Sequence, residues 1–552
     1  MAIRPKIPGI PLAQQPYLNG RQLEFESIAQ MLTVRSNETP NAPHVYYYEQ
    51  TLTYEDTNDR ANKVANYLKE KGVKKGDIIA VMISNSPEFY YAMWGTHKLG
   101  AIAMAVPHML RGPEIAYILD DAKPKVAFVG SDCLPEFFKG LNEANSKPIV
   151  VDVVLGEKVD PQIAQETLDD ILNKYPAEEC LVKQNLDDIF LLLYSSGTTG
   201  RHKGILLSNK AALSLCRDQN RSGIVTGNDV MLLILPLFHC CPLCVFTYPM
   251  SYAGQALCIR HFSVRDFWPT VIQYGVTIIM AVPTMLDYIL NRIDPKDVDL
   301  SKVKIRYANT GAGPLSLETR RRLKEQYNID LLVGYGLSEG CGGSSVEPPL
   351  GRYKEGSCGL PYQEQHIEII DEQGNILSNN QIGEICIKGD NVMSGYLNKP
   401  EEYAKTMAGG FLHTGDVGYF DDEGYLFVTD RKRDMIIRGG ENIYPREIEH
   451  VLESNRLIAE VAVIGVADKL LGERLKAFIV PKVKGTITAE STKVWLAERI
   501  ADFKIPDYYE FVSSLPRTAT GKIQKNELRK RTEVDSRDNS KRKSVTFGTG
   551  SC

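Results

Sequence analysis

Short apolar segments alternate with amphipathic segments along the first part of the chain. Apolar residues at helical spacing after Thr53 predict a helix that ends near Gly72, and Asp56 stands where a capping box places its acid. The same alternation predicts strands at Ile78–Ile83, Ala101–Val106, Val126–Val129 and Ile149–Val154, and helices at Pro87–Leu99 and Glu114–Leu119. Strands that alternate with helices usually pair in parallel, so we expect a parallel sheet covered by helices.

The alternation returns after residue 189. It predicts strands at Ile189–Leu193, Ile205–Leu207, Val230–Leu235, Thr277–Val282, Lys304–Ala308 and Leu331–Val333, and helices at Val264–Tyr274, Pro283–Arg292 and Leu317–Tyr327. Two α/β sheets in one large domain fit this pattern best.

From Glu364 the pattern changes to short strands joined by hairpin turns at Asp371–Gly374 and Asp421–Gly424, which predicts a small β subdomain. A charged break at Asp430–Asp434 is followed by an α+β pattern. The predicted fold class is α/β, with a large N-terminal domain of two α/β sheets plus the β subdomain, followed by a small α+β C-terminal domain. We place the domains at residues 1–432 and 433–532. The polar tail at 533–552 is expected to be disordered.

Composition and charge narrow the functional classes. The chain has 552 residues, 43% of them hydrophobic and 24% charged, which is ordinary for a globular protein. A net charge of −5 argues against a general nucleic-acid binder. No apolar run is long enough to span a membrane, and the N-terminus shows no signal-peptide pattern, so a cytoplasmic location is expected.

The eleven cysteines are spread thinly and do not resemble a disulfide framework. Cys241 and Cys244 have the CxxC spacing of zinc and redox sites, but no second ligand pair follows at finger spacing. Buried apolar thiols are the favoured interpretation, and a metal site is the alternative.

The glycine-rich loop Tyr194–Gly204 joins two of the predicted strands. Its glycines let the backbone approach a ligand closely, while its hydroxyls, its N–H groups and Lys203 can donate hydrogen bonds to an anion. The pattern therefore indicates a phosphate cradle, and an ordinary polar loop is the alternative. A Walker A loop does not fit, because Lys203 precedes a glycine and a strand rather than a helix.

This loop resembles the phosphate-binding loop of the adenylate-forming superfamily, which includes acyl-CoA synthetases, synthetase adenylation domains and luciferases. His202 stands where that family usually has proline. The resemblance implies that ATP phosphates are bound by Ser195, Ser196, Gly197, Thr198, Thr199, Gly200 and Lys203.

Two glycine turns, at Gly311–Gly313 and Gly334–Gly336, each follow a predicted strand. Sheets of this class bind ligands at the carboxyl ends of their strands, so two such turns could flank a flat heterocycle. They resemble the family's adenine-binding turns, which implies an adenine site formed by Gly311, Ala312, Gly313, Gly334, Tyr335 and Gly336. By the same resemblance Ser338 contacts the α-phosphate, and Glu339 and Thr198 ligate Mg²⁺.

The resemblance continues along the chain to Lys530. It implies ribose contacts from Asp416 and Arg431, a hinge at Arg433 and a mobile C-terminal domain. Residues that would line a coenzyme A tunnel are Arg438, Gly439, Gly440 and Glu441. Lys522 would bridge the carboxylate and the α-phosphate during adenylation.

His239 lies in a segment that resembles the family's acyl-pocket motif. The other residues expected to line this pocket are Cys240, Cys241, 308–311 and 341–343. Most are small, which suggests room for a medium-chain, branched, cyclic or aromatic acid.

These features together predict an acid–CoA ligase that uses ATP, Mg²⁺ and coenzyme A and forms an acyl-adenylate. Lys522, Thr198, Ser338, Glu339 and His239 are its candidate catalytic residues. The alternatives are an enzyme that loads an acyl group onto a carrier protein and a non-catalytic nucleotide-binding scaffold. The expected partners are small molecules and not nucleic acids. Both a monomer and a homodimer are left as alternatives.

Overall fold

The computed structural model describes residues 5–9, 24–155, 166–196, 202–311, 317–349, 351–438, 441–468, 471–517 and 523–532. Two compact units are distinguishable. The first comprises Met1–Asn380, Cys386–Thr414 and Phe420–Phe427, and the second comprises Gln381–Ile385, Gly415–Tyr419 and Val428–Cys552. Among the described residues, no helix is long and apolar enough to cross a membrane.

The first part of the chain alternates strands and helices as predicted, after an N-terminal helix and hairpin that the pattern did not reveal. Its elements are α1 (Ile28–Glu38), β1 (Pro43–Tyr47), β2 (Gln50–Thr53), α2 (Tyr54–Glu70), β3 (Ile78–Met82), α3 (Pro87–Lys98), β4 (Ile102–Ala105), α4 (Gly112–Ala122), β5 (Val126–Gly130), α5 (Leu134–Glu143), β6 (Ile149–Val153), β7 (Glu166–Thr167) and α6 (Leu168–Lys174).

The second part repeats this alternation. Its elements are β8 (Ile189–Ser196), β9 (His202–Ser208), α7 (Asn209–Arg221), β10 (Val230–Leu233), a π-helical segment (Cys241–Thr247), α8 (Tyr248–Ala253), β11 (Ala256–Ile259), α9 (Val264–Gln273), β12 (Ile278–Met280), α10 (Pro283–Arg292), β13 (Tyr307–Thr310), α11 (Leu317–Tyr327) and β14 (Asp330–Tyr335).

The remaining elements are mostly short strands. They are β15 (Ser345–Val346), β16 (Leu360–Pro361), β17 (His366–Ile370), β18 (Gly383–Lys388), β19 (Gly395–Tyr396), α12 (Pro400–Thr406), β20 (Leu412–Phe420), β21 (Leu426–Arg431), β22 (Ile436–Arg438), β23 (Glu441–Ile443), α13 (Pro445–Glu453), β24 (Ile458–Asp468), β25 (Gly472–Pro481), α14 (Ala489–Ala497) and β26 (Tyr508–Phe511). Short 3₁₀ turns lie at Pro295–Asp297, Leu300–Lys302, Ser338–Gly340, Ala408–Gly410, Lys432–Asp434 and Asp502–Lys504.

The predicted capping box is present at the start of α2. The Thr53 side chain accepts a hydrogen bond from the Asp56 N–H, and the Asp56 carboxylate accepts one from the Thr53 N–H, both at 3.0 Å. The predicted apolar stripe of this helix, which includes Val64 and Leu68, is fully buried. Local capping and helical periodicity therefore agree at this position.

Two large mixed sheets organise the first unit, as the sequence predicts. One has the strand order β19-β9-β8-β4-β3-β5-β6-β7, and the other has the order β16-β15-β14-β13-β12-β10-β11-β1-β2. In each sheet the central strands are parallel, and antiparallel strands flank them at one or both ends. The central strands read as unbroken apolar runs because they are buried on both faces; all five residues of β5, for example, are buried.

One strand lies later than predicted. The apolar pattern predicts Lys304–Ala308, whereas β13 spans Tyr307–Thr310. Ladder pairing with β12 begins at Tyr307, and the Arg306 side chain instead pairs with Asp229, with Nη2 2.7 Å from Oδ2. The chain therefore enters the sheet after this ion pair.

The later strands form two smaller sheets. One has the order β17-β18-β20-β21, and the predicted turn at Asp421–Gly424 closes with a hydrogen bond from Gly424 N to Asp421 O. The other lies in the second unit and has the order β23-β22-β25-β24, with β26 paired to β25. Its apolar residues pack with those of α13 and α14 into a separate core. This second unit has the α+β character that the sequence predicts.

Candidate active site

The described ends of the glycine-rich loop are held in a fixed register. β8 and β9 are antiparallel, so Ser195 pairs with Lys203 and Tyr194 pairs with Gly204. The Tyr194 hydroxyl donates a 2.7 Å hydrogen bond to Asp121, which anchors the entering strand to α4. Residues 197–201, with the predicted phosphate ligands Gly197, Thr198, Thr199 and Gly200, lie outside the described residues, as does the Ser196 side chain.

His202, at the usual position of proline, lies at the start of β9. Its carbonyl accepts hydrogen bonds from the Tyr117 hydroxyl at 3.0 Å and from Lys399 Nζ at 3.1 Å. Its ring lies 3.6 Å from the Glu114 carboxylate. The exit from the loop is thus tied to α4 and to the start of α12 by contacts that do not need the proline ring.

Lys203 and Glu339, two predicted ligand residues, are linked through Tyr396. The Lys203 ammonium pairs with Glu402 and lies 5.4 Å from the centre of the Tyr396 ring. The Tyr396 hydroxyl donates a 3.1 Å hydrogen bond to Glu339 Oε1. Burial raises the pKa of Tyr396, as does the neighbouring Glu339 carboxylate, so the phenol stays protonated and acts as a donor. The structure therefore brings a candidate phosphate ligand and a candidate metal ligand into one cluster.

The sequence did not reveal Tyr396 or Glu402. Tyr396 belongs to the two-residue strand β19, which pairs with β9 beside Lys203, and Glu402 lies in the seven-residue helix α12. Elements this short have too few residues to show a period. A tyrosine or a glutamate alone carries no functional signal in the sequence.

The two glycine turns lie side by side, as predicted, at the carboxyl ends of β13 and β14. Thr310 pairs with Val333 in the parallel register, and a Cβ added to Gly311 would lie 3.0 Å from the Gly334 carbonyl oxygen. At Gly336 an added Cβ would lie 2.3 Å from the Gly342 carbonyl oxygen, so only glycine fits. These close approaches leave a narrow backbone-lined edge, which suits a flat ring. Ala312 and Gly313 lie outside the described residues.

A buried ion pair supports the end of β14. Arg320 contacts Glu347 through two hydrogen bonds at 2.6 and 3.1 Å, and Glu347 also accepts a 2.8 Å hydrogen bond from the Val333 N–H. Glu347 is fully buried. The pair fixes the strand end from which Tyr335 and Ser338 follow.

Ser338 and Glu339 lie in a single 3₁₀ turn after β14. The Glu339 carbonyl accepts a 2.8 Å hydrogen bond from Met393 N, and Cys341 ends the turn in the left-handed region with φ 57°. The Ser338 carbonyl accepts a 3.1 Å hydrogen bond from the N–H of Cys341, one of the residues expected to line the acyl pocket. The turn thus connects the candidate nucleotide residues to the candidate acyl pocket.

His239 is held near this pocket by the segment that follows β10. Asn85 fixes that segment, because its amide accepts from Leu237 N and donates to Leu235 O, both at 2.9 Å. A Cβ added to Gly342 would lie 3.3 Å from Cys240 Sγ, which places the 341–343 segment against the cysteines as expected. The sequence did not single out Asn85.

The alternative zinc site at Cys241 and Cys244 gains no support. Cys244 is fully buried. Within the described ranges, no group of three or more possible metal ligands that lie within 4.8 Å of one another contains either cysteine. The packing interpretation stays a prediction.

Asp416 and Arg431, the two predicted ribose ligands, form an ion pair in the second unit. Arg431 Nε lies 2.9 Å from Asp416 Oδ1, and the Asp416 side chain is almost fully buried. Two groups that the sequence assigns to one ligand thus lie together.

The remaining C-terminal candidates are only partly described. The Arg438 guanidinium lies 2.9 Å from Asp507 and donates to the Phe503 carbonyl at 2.8 Å. Gly439, Gly440 and Lys522 lie outside the described residues, as do the side chains of Arg433 and Glu441. Their roles stay predictions.

Comparison with known proteins identifies the family. Residues 32–397 match the AMP-binding enzyme family, and residues 447–522 match the AMP-binding enzyme C-terminal domain. The chain is 32% identical over 511 residues to the long-chain-fatty-acid–CoA ligase FadD13 of Mycobacterium tuberculosis, covering 92% of this chain and 98% of that protein. It is 30% identical over 524 residues to the fatty acid–[acyl-carrier-protein] ligase ScoC of Streptomyces coeruleorubidus, covering 93% and 98%.

A solved structure agrees with this result. The crystal structure of the anthranilate CoA ligase AuaEII with anthranoyl-AMP superposes with a TM-score of 0.84 and 26% identity, covering 94% of this chain and 99% of that one. The resemblance stated from the motifs is thereby confirmed. The chain belongs to the AMP-binding enzyme family.

Proposed function

We propose that the protein is an ATP-dependent acid–CoA ligase that forms an acyl-adenylate and pyrophosphate, and then acyl-CoA and AMP. The observation that carries this proposal is the cluster of Lys203, Tyr396 and Glu339 beside the glycine-rich loop. It joins a cation for phosphate oxygens to an anionic oxygen ligand that suits Mg²⁺. Such clusters favour phosphoryl and adenylyl transfer, where catalysis rests on positioning and charge.

The adenine and the ribose of ATP and the Mg²⁺ ion each have candidate ligands. The edge formed by Gly311 and Gly334 would take the adenine, with Tyr335 stacking on it, and Asp416 with Arg431 would hold the ribose. Glu339, oriented by the Tyr396 hydrogen bond, would hold Mg²⁺ together with Thr198. When bound, this ion would neutralise charge on the phosphates of ATP.

The chemistry needs no covalent enzyme nucleophile. The substrate carboxylate attacks the α-phosphorus of ATP, Ser338 donates to the α-phosphate, and Lys522 bridges the carboxylate and that phosphate. The thiol of coenzyme A then attacks the adenylate, and residues 438–441 would line the tunnel that admits it. The leaving groups come from ATP, so the side chains only bind, orient and neutralise charge.

The acid is proposed to be medium-chain, branched, cyclic or aromatic. The residues expected to line the acyl pocket near Cys240, Cys241 and Gly342 are small and apolar. The relatives named above act on long-chain fatty acids and on anthranilate, so the family accommodates both chains and rings. We also place the protein in the cytoplasm, as the sequence predicts.

A second candidate function is transfer of the acyl group to a carrier protein. The similarity to an acyl-carrier-protein ligase favours this reading as strongly as the identity to a CoA ligase favours the first. Both candidates share the adenylation step. They differ only in the thiol that accepts the acyl group.

One experiment tests the proposal and separates the two candidates. Pyrophosphate release is measured with a panel of short, medium, branched and aromatic acids, and thioester formation is then measured with coenzyme A or with a holo-carrier protein. We expect acid-dependent pyrophosphate release and thioester with coenzyme A. Thioester with the carrier alone would select the second function, and no acid-dependent release with any acid would reject both.

A further inference from the structure

His108 lies near the place where the carboxyl ends of the two large sheets meet. It follows β4, in which Ala105 pairs in parallel with Leu193, the residue before the glycine-rich loop. His108 therefore belongs to the sheet edge at which this loop begins. Asn85, which follows the neighbouring strand β3, donates a 2.9 Å hydrogen bond to the carbonyl of Leu235, which follows β10 of the other sheet. The edges of the two sheets are thus tied together next to the segment that carries His108.

The His108 ring contacts the segment that carries the candidate acyl-pocket residue His239. The centre of the His108 ring lies 5.3 Å from that of Phe238, edge to face at 76°, and Phe238 lies 4.2 Å from the His239 ring. The imidazole of His108 therefore neighbours the segment assigned to the acid, at the same edge as the loop assigned to ATP. The acyl-adenylate would join these two ligands.

One ring nitrogen of His108 has no hydrogen-bond partner among the described residues. This atom, Nδ1, is buried, whereas the residue as a whole is partly exposed. Buried polar atoms are nearly always paired, so each exception needs an explanation. At the edge of a candidate active site, a ligand that brings the missing proton to the nitrogen would supply one.

Four titratable side chains lie near His108 on the elements packed around it: Asp132, Cys133, His239 and His261. The Cys133 thiol donates to the His108 carbonyl at 3.9 Å. Burial lowers the pKa of the His108 imidazole below its ordinary value of 6.5; the Asp132 carboxylate opposes this effect and His261 adds to it. The imidazole is therefore neutral at neutral pH, the form in which it can accept a proton.

We propose that His108 accepts the thiol proton in the thioester-forming step, an inference that rests on the proposed function. The thiol sulfur forms a bond to the acyl carbonyl carbon of the adenylate. The bond between that carbon and the phosphate oxygen of AMP breaks, and AMP leaves with its electron pair. The thiol proton passes to the His108 imidazole and from there to solvent, and no atom is oxidised or reduced. None of the residues with a role in the reaction above takes up this proton.

The test measures the two half-reactions separately on the full chain. Enzyme loaded with acyl-adenylate is mixed with the thiol that the screen selects, coenzyme A or a holo-carrier protein, and thioester is followed in single turnover. His108→Gln should slow this step by about 10²-fold or more at neutral pH, the scale of general base catalysis, and leave pyrophosphate release unchanged. A saturating thiol concentration should not restore the rate, because the variant lacks the proton acceptor and keeps its affinity for the thiol. His366→Gln, at an exposed histidine of β17, is the control and should change neither step.

The pH dependence of thioester formation separates proton transfer from a structural role. The wild-type rate should fall below about pH 6.5, because a protonated imidazole cannot accept a proton. His108→Gln should lack this fall. The difference between the two proteins should narrow towards about pH 8.5, where an ordinary thiol ionises without a base.

Three outcomes would overturn the role of His108 and leave the proposed function standing. They are an unchanged rate of thioester formation in folded His108→Gln, a defect that saturating thiol removes, and the same fall at low pH in the variant as in the wild type. Circular dichroism checks that the variant is folded, and His108→Asn replaces it if it is not. A wild type that releases no pyrophosphate with any acid would reject the proposed function, and the role of His108 with it.

Discussion

The Tyr396 hydroxyl donates a hydrogen bond to Glu339 Oε1 across 57 residues of sequence, at 3.1 Å. This contact joins the strand beside the glycine-rich loop to the turn that carries the candidate metal ligand. It holds the Oε1 atom of Glu339 in place.

Tyr396→Phe should weaken the binding of Mg²⁺ at Glu339. A hydrogen bond to a charged group contributes about 1.5–3 kcal/mol, so the Mg²⁺ concentration needed for half-maximal adenylation should rise by roughly 10-fold or more. Adenylation is measured over a Mg²⁺ titration at fixed ATP. Tyr175→Phe is the matched control, because its hydroxyl also donates to a glutamate, Glu70, at 2.7 Å. Equal Mg²⁺ dependence in both variants would contradict the role of Tyr396.

Glu339→Gln should reduce turnover by about 10²-fold or more, since charge stabilisation by a metal ion is worth several kcal/mol. The glutamine keeps the size of the side chain and an oxygen that can accept from Tyr396, but it loses the negative charge. Initial rates of pyrophosphate release at saturating ATP and Mg²⁺ measure the effect. A turnover close to that of the wild type would rule out Glu339 as the metal ligand.

Asp218 predicts a pH dependence of stability. Its side chain is fully buried in α7, and burial raises the pKa of this carboxyl to about 7. In the unfolded chain the carboxyl titrates near pH 4, so between about pH 4 and pH 7 the folded state holds the extra proton. The contribution of this group to the free energy of unfolding therefore falls as the pH rises through that range.

Asp218→Asn should remove this dependence, because the amide has the shape of the protonated carboxyl and does not titrate. The free energy of unfolding of the variant, minus that of the wild type, should rise by on the order of a few kcal/mol between pH 4 and pH 7. Urea unfolding at several pH values measures it. Asp187→Asn, at a side chain that is 81% exposed, is the control. A difference that stays constant with pH would show that Asp218 is ionised throughout.

Lys522 and Gly440 are assigned by resemblance to different half-reactions, and both lie outside the described residues. Lys522→Ala should slow adenylation by roughly 10²–10³-fold, the scale of one pre-organised donor, and still convert supplied acyl-adenylate and coenzyme A to thioester. Gly440→Leu should form adenylate and little thioester, because its side chain would narrow the tunnel. Single-turnover rates are measured for each half-reaction of both variants. If both variants slowed both half-reactions equally, the assignment of Lys522 and Gly440 to different half-reactions would be wrong.

The sequence predicted the parts of the fold whose signals are local and long. The capping box of α2 and the helix Pro283–Arg292 lie where their patterns place them. The two glycine turns could be predicted to meet, because adjacent parallel strands end at one edge of a sheet. These features depend on residues within one element or on one topological rule.

Other features could not be predicted because their signals are spread over distant residues. The contact between Tyr396 and Glu339 depends on β19, which is two residues long and pairs with a strand almost two hundred residues earlier. The π-helical segment Cys241–Thr247 is buried on all sides and shows no polar face to reveal its period. The hairpin β1–β2 joins the sheet formed by much later strands, with β1 beside β11. Tertiary pairing alone positions these elements.

In the proposed reaction the carboxylate attacks the α-phosphorus of ATP before any thioester forms. Rapid-quench analysis with ATP labelled at the α-phosphorus tests it most directly, using an acid selected by the pyrophosphate screen. We predict that, without coenzyme A, the label appears in acyl-AMP in amounts that match the pyrophosphate released. After addition of coenzyme A the label should pass to AMP as acyl-CoA forms. Label recovered in ADP, or thioester formed without a labelled acyl-AMP, would contradict the account.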